Sequence, residues 1–279
     1  MSEKIIRMDK LVKIFADTQD FITNDGVLKE AVKFSLEHTK LYNPEDYPEL
    51  PNIPKKLGST LTLNFKSFQA AMNFHKNMPD KKIAVLNFAS ATRPGGGVTS
   101  GSMAQEESLC RCSTLYPLIN QQWLIDRFYM PNREANDPRY NDACIYSQDV
   151  VICKTDTDFP ERLNHEDFFI VDIITCAAPN LKGMIMRQKN YNNINELFNI
   201  HLNRAKHILH ISALNNVDIL VTGAFGCGAF KNNPEIVAEA WKEALKNYRQ
   251  KFDYVIFAIY FREHEINNFK AFNDKFNDN

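Results

Sequence analysis

Glu106 and Glu107 stand side by side, shortly after a run of three glycines, Gly95, Gly96 and Gly97. A carboxylic acid held in a cleft can protonate the oxygen that leaves when a glycosidic bond breaks. Glycines ahead of it strip side chains from the approach, so a sugar could come close. The plainer reading is that two acidic residues near a helix start complement its dipole, worth about 0.3–1 kcal/mol each. Beside a glycine triplet that reading weakens.

The chemistry depends on the elements that hold these residues. KIAVLNFA (82–89) is a near-continuous apolar run, as in a strand covered on both faces, and SATRPGGG follows it. The pattern Ser102-Met103-Ala104-Gln105 predicts a helix with Ser102 at its N-cap and Gln105 at N3 of a capping box. Glu106 and Glu107 then fall in the second turn. Neighbouring helical positions are about 100° apart, so the two carboxyls face differently and should have different jobs.

A second loop, VTGAFGCGAFKNNPEIVAEAW (221–241), also follows a buried strand, which ends at Thr222. Gly223, Gly226 and Gly228 let backbone N–H groups crowd an oxyanion, and a helix follows with Asn233 as N-cap and Pro234 at its first position. This is a phosphate cradle in physical terms, although neither Walker A nor G-x-G-x-x-G is present. The alternative is a turn that merely needs positive φ. In open α/β sheets, ligands sit at the carboxyl ends of strands, where both loops lie.

The 279 residues are 44% hydrophobic and 24% charged, enough for a sizeable core. Net charge is −1, which argues against binding a long polyanion by bulk neutralisation and against sequence-specific nucleic-acid recognition. No apolar run approaches the ~20 residues of a membrane span, and the charged start lacks a secretory core, so a cytoplasmic location is expected. The six cysteines form no C-x-x-C pair and are expected to be reduced structural thiols, with no metal site. His201, His207 and His210 share a helix, but packing outweighs ligation for them.

Residues 1–55 read as a helical accessory region. Met8, Leu11, Val12 and Phe15 form one stripe; Val27, Ala31, Phe34 and Leu41 suggest a second. NPEDYPELPNIPKK (43–56) is an extended connector. From residue 56 to 279, strand runs at 59–65, 82–89, 167–178, 217–225 and 254–261 alternate with helices, notably 193–214 and 234–248. That predicts an α/β fold, a three-layer sandwich around a mixed, mostly parallel sheet. Residues 130–166 are polar and read as an insertion of loops.

PGGGVTSGSMAQEE resembles the GGG…QEE signature of poly(ADP-ribose) glycohydrolases, which are macrodomain enzymes. VLNFASATRPGGG, AQEESL and TGAFGCGAFKN, with the helical start and TKLYNPEDY, are similar to the compact microbial-type members. The resemblance implies that Gly95, Gly96, Gly97 and Val98 shape the catalytic loop around the distal ribose and diphosphate, next to Gln105. It makes Glu107 the acid that protonates the leaving ribose oxygen and then the base toward water, and it has Glu106 bind a hydroxyl of the flanking ribose. Gly226, Cys227, Gly228 and Ala229, in the loop opened by Gly223 and Ala224, would hold the diphosphate through N–H groups, with Phe230 packed beside the ligand. Where many macrodomains use an Asn for the distal ribose, this chain has Ser90, with Asn87 three residues earlier; the contact falls to Ser90, to Asn87 or to neither. The implied substrates are poly(ADP-ribose), cleaved at chain ends, and ADP-ribosylated proteins, with no cofactor. Two alternatives stand beside this: a hydrolase of mono-ADP-ribose on protein or nucleic acid, and a reader that binds ADP-ribose without cutting.

Overall fold

A computed structural model describes residues 3–188, 191–262 and 266–277. The chain begins with α1 (Glu3–Asn24), α2 (Gly26–His38) and β1 (Lys40–Tyr42), then β2 (Ser59–Leu63), α3 (Ser67–Asn77) and β3 (Ile83–Phe88). Next come α4 (Gln105–Cys112), α5 (Leu115–Ile119), α6 (Gln122–Leu124), α7 (Met130–Ala135), β4 (Cys144–Ile152) and β5 (Phe169–Cys176). The remainder is α8 (Leu181–Arg187), α9 (Ile194–Leu214), β6 (Ile219–Thr222), α10 (Pro234–Tyr248), β7 (Tyr254–Ala258) and α11 (Asn267–Phe276).

The strands form one sheet in the order β1-β4-β5-β3-β6-β7-β2. β5, β3, β6, β7 and β2 run parallel, while β4 is antiparallel to both β1 and β5. Successive side chains on a strand point to opposite faces, and β3 shows the result. Ile83 and Val85 join a cluster with Phe15, Phe68, Leu109 and Leu118, whereas Ala84 and Leu86 join one with Ile208, Trp241 and Phe272. Helices α1, α3, α4 and α5 thus cover one face, and α9, α10 and α11 the other. The expected α/β sandwich with a mostly parallel sheet is present.

Some expectations need correction. On α2, Val27 and Phe34 are exposed and Leu41 lies in β1; the buried face carries Leu28 and Ser35. Apolar residues occupy both flanks of this helix, so period alone does not choose the inward one. Packing against β4 chooses it, with Ser35 Oγ donating to the Asp149 carbonyl at 2.9 Å. The stretch 130–166 is not only loops, since it contains α7 and the nine-residue β4. A bulge between Ser147 and Val150, with Asp149 at φ 54°, breaks the apolar alternation that marks a strand.

The connector 43–56 is extended and pinned by α9. His207 Nε2 lies 3.1 Å from the Asp46 carbonyl, and His210 Nε2 lies 2.8 Å from that of Pro48. All six cysteines are buried free thiols. No helix among the described residues is long and apolar enough to cross a membrane.

Candidate active site

The glycine loop leaves the end of β3, near the middle of the sheet, and Gln105 fastens α4 to that end. Its Oε1 accepts the Phe88 N–H at 2.8 Å, while Nε2 donates to the Leu86 carbonyl at 2.8 Å and to Ser67 Oγ at 3.0 Å. An amide committed this way does not reach back to Ser102, and no capping box forms. The helix starts at Gln105 with Ala104 as an uncapped N-cap. Ser102 turns to the glycine loop, where its Oγ fills the space a Cβ on Gly97 would need. Glu106 and Glu107 therefore lie in the first turn, at the positive end of the helix, and not in the second.

Both carboxyls are buried, and they are held differently. Glu106 Oε2 accepts the Ser90 N–H at 2.7 Å, and Asn87 Nδ2 lies 3.4 Å from Oε1. Burial pushes Glu106 up to about 8 against the Ser90 hydrogen bond, and the neighbouring Glu107 charge adds to the rise. Glu107 Oε1 accepts the Gly97 N–H at 2.9 Å, and its Oε2 is buried with no partner among the described residues. Gly96 sits between them at φ 57°; a Cβ there would lie 2.5 Å from Glu107 Oε1 and 2.9 Å from Glu106 Oε2. Only a glycine lets the chain pass this close to both oxygens.

The second loop runs from β6 to α10. Asn233 caps α10 by accepting the N–H groups of Glu235 and Ile236, with Pro234 in the first turn. Gly226 has φ 78°, and a Cβ there would meet Asn232 Nδ2 at 2.5 Å and Ala178 Cβ at 2.6 Å. Asn232 closes the loop by donating Nδ2 to the carbonyls of Gly226 at 3.0 Å and Pro179 at 2.8 Å. The N–H groups of Gly226, Gly228 and Ala229 make no hydrogen bond among the described residues, so they are free to meet an oxyanion.

A cleft of about 1070 Å³ joins the two loops. Ser90, Gly96, Gly97, Gln105, Glu106 and Glu107 line one side. Ala224, Gly226, Gly228, Ala229 and Phe230 line the other. Several expected contacts stand elsewhere. Gly95 packs on Tyr116, and Val98 is 1% exposed within the core. Gly223 is pressed against the Ala258 carbonyl. The Cys227 N–H is used by the Ala224 carbonyl at 3.0 Å, and its thiol packs inward. Asn87 is wholly buried and bonds Glu106 and Thr175, so of the two candidates only Ser90 reaches the cleft.

Residues that sequence reasoning missed include Tyr140, whose ring lies 6.2 Å from that of Phe230 across the cleft mouth. Buried Arg111 donates Nη1 to the Ser102 carbonyl at 2.7 Å and steadies the loop. Neither has a local signature. Asn232 was within reach, because the pair Asn232-Asn233 offers one residue more than a cap requires.

A family model described as microbial-type PARG, catalytic domain, matches residues 11–155. The crystal structure of poly(ADP-ribose) glycohydrolase from Thermomonospora curvata is similar at 27% identity and a TM-score of 0.84, over 96% of this chain and 100% of that one. The same enzyme bound to the inhibitor ADP-HPD gives 28% identity and a TM-score of 0.81, over 96% of this chain and 100% of that one. Poly(ADP-ribose) glycohydrolase from Deinococcus radiodurans in complex with ADP-ribose gives 30% identity and a TM-score of 0.77, over 88% of this chain and 96% of that one. No curated protein sequence matches.

Proposed function

The chain belongs to the microbial-type PARG catalytic-domain family, and from that premise we propose that it is a poly(ADP-ribose) glycohydrolase, releasing ADP-ribose from chain ends by hydrolysing the ribose–ribose O-glycosidic bond. The observation that carries the residue roles is the Oε2 of Glu107, buried without a partner among the described residues, on a side chain that lines the cleft and whose other oxygen abuts Gly96.

The order of strands orients the ligand. β3, β6, β7 and β2 are successive neighbours, about 4.8 Å apart each. The distal ribose goes to the loop after β3, and the diphosphate to the free N–H groups after β6. That leaves the adenosine for the ends of β7 and β2, where Ile259 and Tyr260 line the cleft. Held by Gly97, Glu107 gives its proton from Oε2 to the 2′-oxygen leaving from C1″. The resulting carboxylate stabilises the cationic sugar, then takes a proton from the water that adds to C1″. Glu106 offers its carboxyl to a ribose hydroxyl. Burial raises Glu106 to about 8, so its carboxyl keeps a proton near neutrality. ADP-ribosylated proteins carry the polymer to the enzyme, and buried reduced thiols fit a cytoplasmic setting.

Turnover of end-labelled polymer tests the assignment. Glu107→Gln should lower it by about 10³-fold or more while ADP-ribose affinity stays within about threefold. Wild-type protein that binds polymer and never shortens it would be a reader. One that frees ADP-ribose only from a mono-ADP-ribosylated protein would be the other hydrolase.

A further inference from the structure

Three histidines and an arginine stand at every third position of α9: His201, Arg204, His207 and His210. Successive members of such a row are neighbours on the helix surface, and all four are buried. His207 and His210 pin the connector. Arg204 donates Nε to Asp142 Oδ1 at 2.8 Å, Nη1 to the Ala177 carbonyl at 2.6 Å and Nη2 to the Arg139 carbonyl at 3.2 Å. His201 differs from the other three. It is 2% exposed, and both its ring nitrogens are buried with no hydrogen-bond partner among the described residues. A polar group left so in the interior is destabilising, and the ring calls for a partner.

A complementary group lies beside it. Burial pulls His201 down to about 3; the Asn232 side chain opposes that fall as a hydrogen-bonding neighbour, and the Arg204 charge adds to it. Asn232 is itself 3% exposed, and its Oδ1 is buried without a bond of ordinary geometry among the described residues. The two Nδ2 hydrogens of this amide go to the carbonyls of Gly226 and Pro179, which leaves only the oxygen for the ring. A neutral imidazole has one N–H, and a donor is what that oxygen lacks. The amide in turn abuts Gly226, where a Cβ would lie 2.5 Å from Nδ2, and the Asn232 backbone N–H donates to the Gly226 carbonyl at 3.1 Å. Gly226 opens the stretch whose free N–H groups belong to residues lining the cleft. We infer that His201 is a positioning residue for substrate binding: a ring N–H donates to Asn232 Oδ1 and fixes the amide that sets Gly226, and with it the N–H groups offered to the diphosphate. That role rests on reading the loop after β6 as the holder of the diphosphate. It bears on binding and not on the bond-breaking step, because the ring reaches the sugar and the glutamates through nothing but this loop.

Imidazole NMR of the wild-type protein, with ADP-ribose as probe, tests this without any substitution. His201 should show one neutral tautomer between about pH 5 and 8, where an ordinary histidine titrates, with a ring N–H proton slow to exchange and shifted when ADP-ribose binds. A ring that titrates in that window, or an N–H indifferent to ADP-ribose, overturns the inference. Two variants, each checked for folding by thermal melting, supply a second arm. His201→Leu should weaken ADP-ribose binding about tenfold, the order that one lost buried hydrogen bond allows, and raise KM for end-labelled polymer likewise, while kcat stays within about twofold. His201→Gln retains an N–H donor and should recover affinity to within about threefold of wild type. Equal losses in the two variants would mean that the ring only fills space. Unchanged affinity in His201→Leu, or a loss confined to kcat, would overturn the role as well. Failure of the wild-type protein to bind ADP-ribose at all would defeat the functional reading separately.

Discussion

Gly96 shows how much of the site turns on one missing methyl group. With φ at 57° and two carboxylate oxygens within 2.9 Å of where a Cβ would stand, Gly96→Ala has to move Glu107 or the loop. Turnover should fall about 100-fold and stability by about 1–3 kcal/mol, read by polymer hydrolysis and urea denaturation. Glu106 carries a different signature. Its ordinary value of 4.5 rises to about 8 in the fold, so the protonated form is the one folding favours. The stability it allows is complete below pH 4.5, declines as pH rises through about 8, and is level beyond. Glu106→Gln removes that decline. At pH 9 the variant should outlast the wild type in urea, and at pH 4 the two should match. Parallel curves across the range would contradict the buried, raised carboxyl.

At the scale of elements, Gln105 is the fastening between β3 and α4. Gln105→Ala leaves the Phe88 N–H and Leu86 carbonyl without partners, at a cost of about 2–3 kcal/mol. Both glutamates ride on the turn that Gln105 anchors, so turnover should fall further than ADP-ribose affinity, measured on the same preparation. This element also marks where local reading stops. The strands at β3, β5, β6 and β7 were legible because burial on both faces leaves a continuous apolar run, and the Asn233-Pro234 cap because its partners are two and three residues away. Ser102-x-x-Gln105 met the capping pattern equally well, yet the partners that claimed Gln105 lie 17 to 38 residues distant. β4 was hidden by its bulge. Of the candidate site, the residue types and both loops were readable. Which N–H groups stay free, and which carboxyl oxygen lacks a partner, emerged only from tertiary packing.

Across the molecule, the N-terminal helices buttress the sheet and the glycine loop. Phe15 of α1 meets the ring of Tyr116 edge-on at 4.9 Å, Tyr116 backs Gly95, and β1 extends the sheet beside β4. Phe15→Ala should cost about 3–4 kcal/mol and also slow turnover under conditions where the protein remains folded, checked by thermal melting beside activity. Turnover unchanged in the folded variant would mean that the helix supports the fold alone. The burial of the cysteines has a practical corollary. Cys110, Cys112, Cys144, Cys153 and Cys176 show no exposure, while Cys227, on the loop after β6, retains 7%. A thiol-reactive dye added to the native protein therefore acts as a clock: its first label marks the breathing of that loop, and a ligand seated there slows the hand.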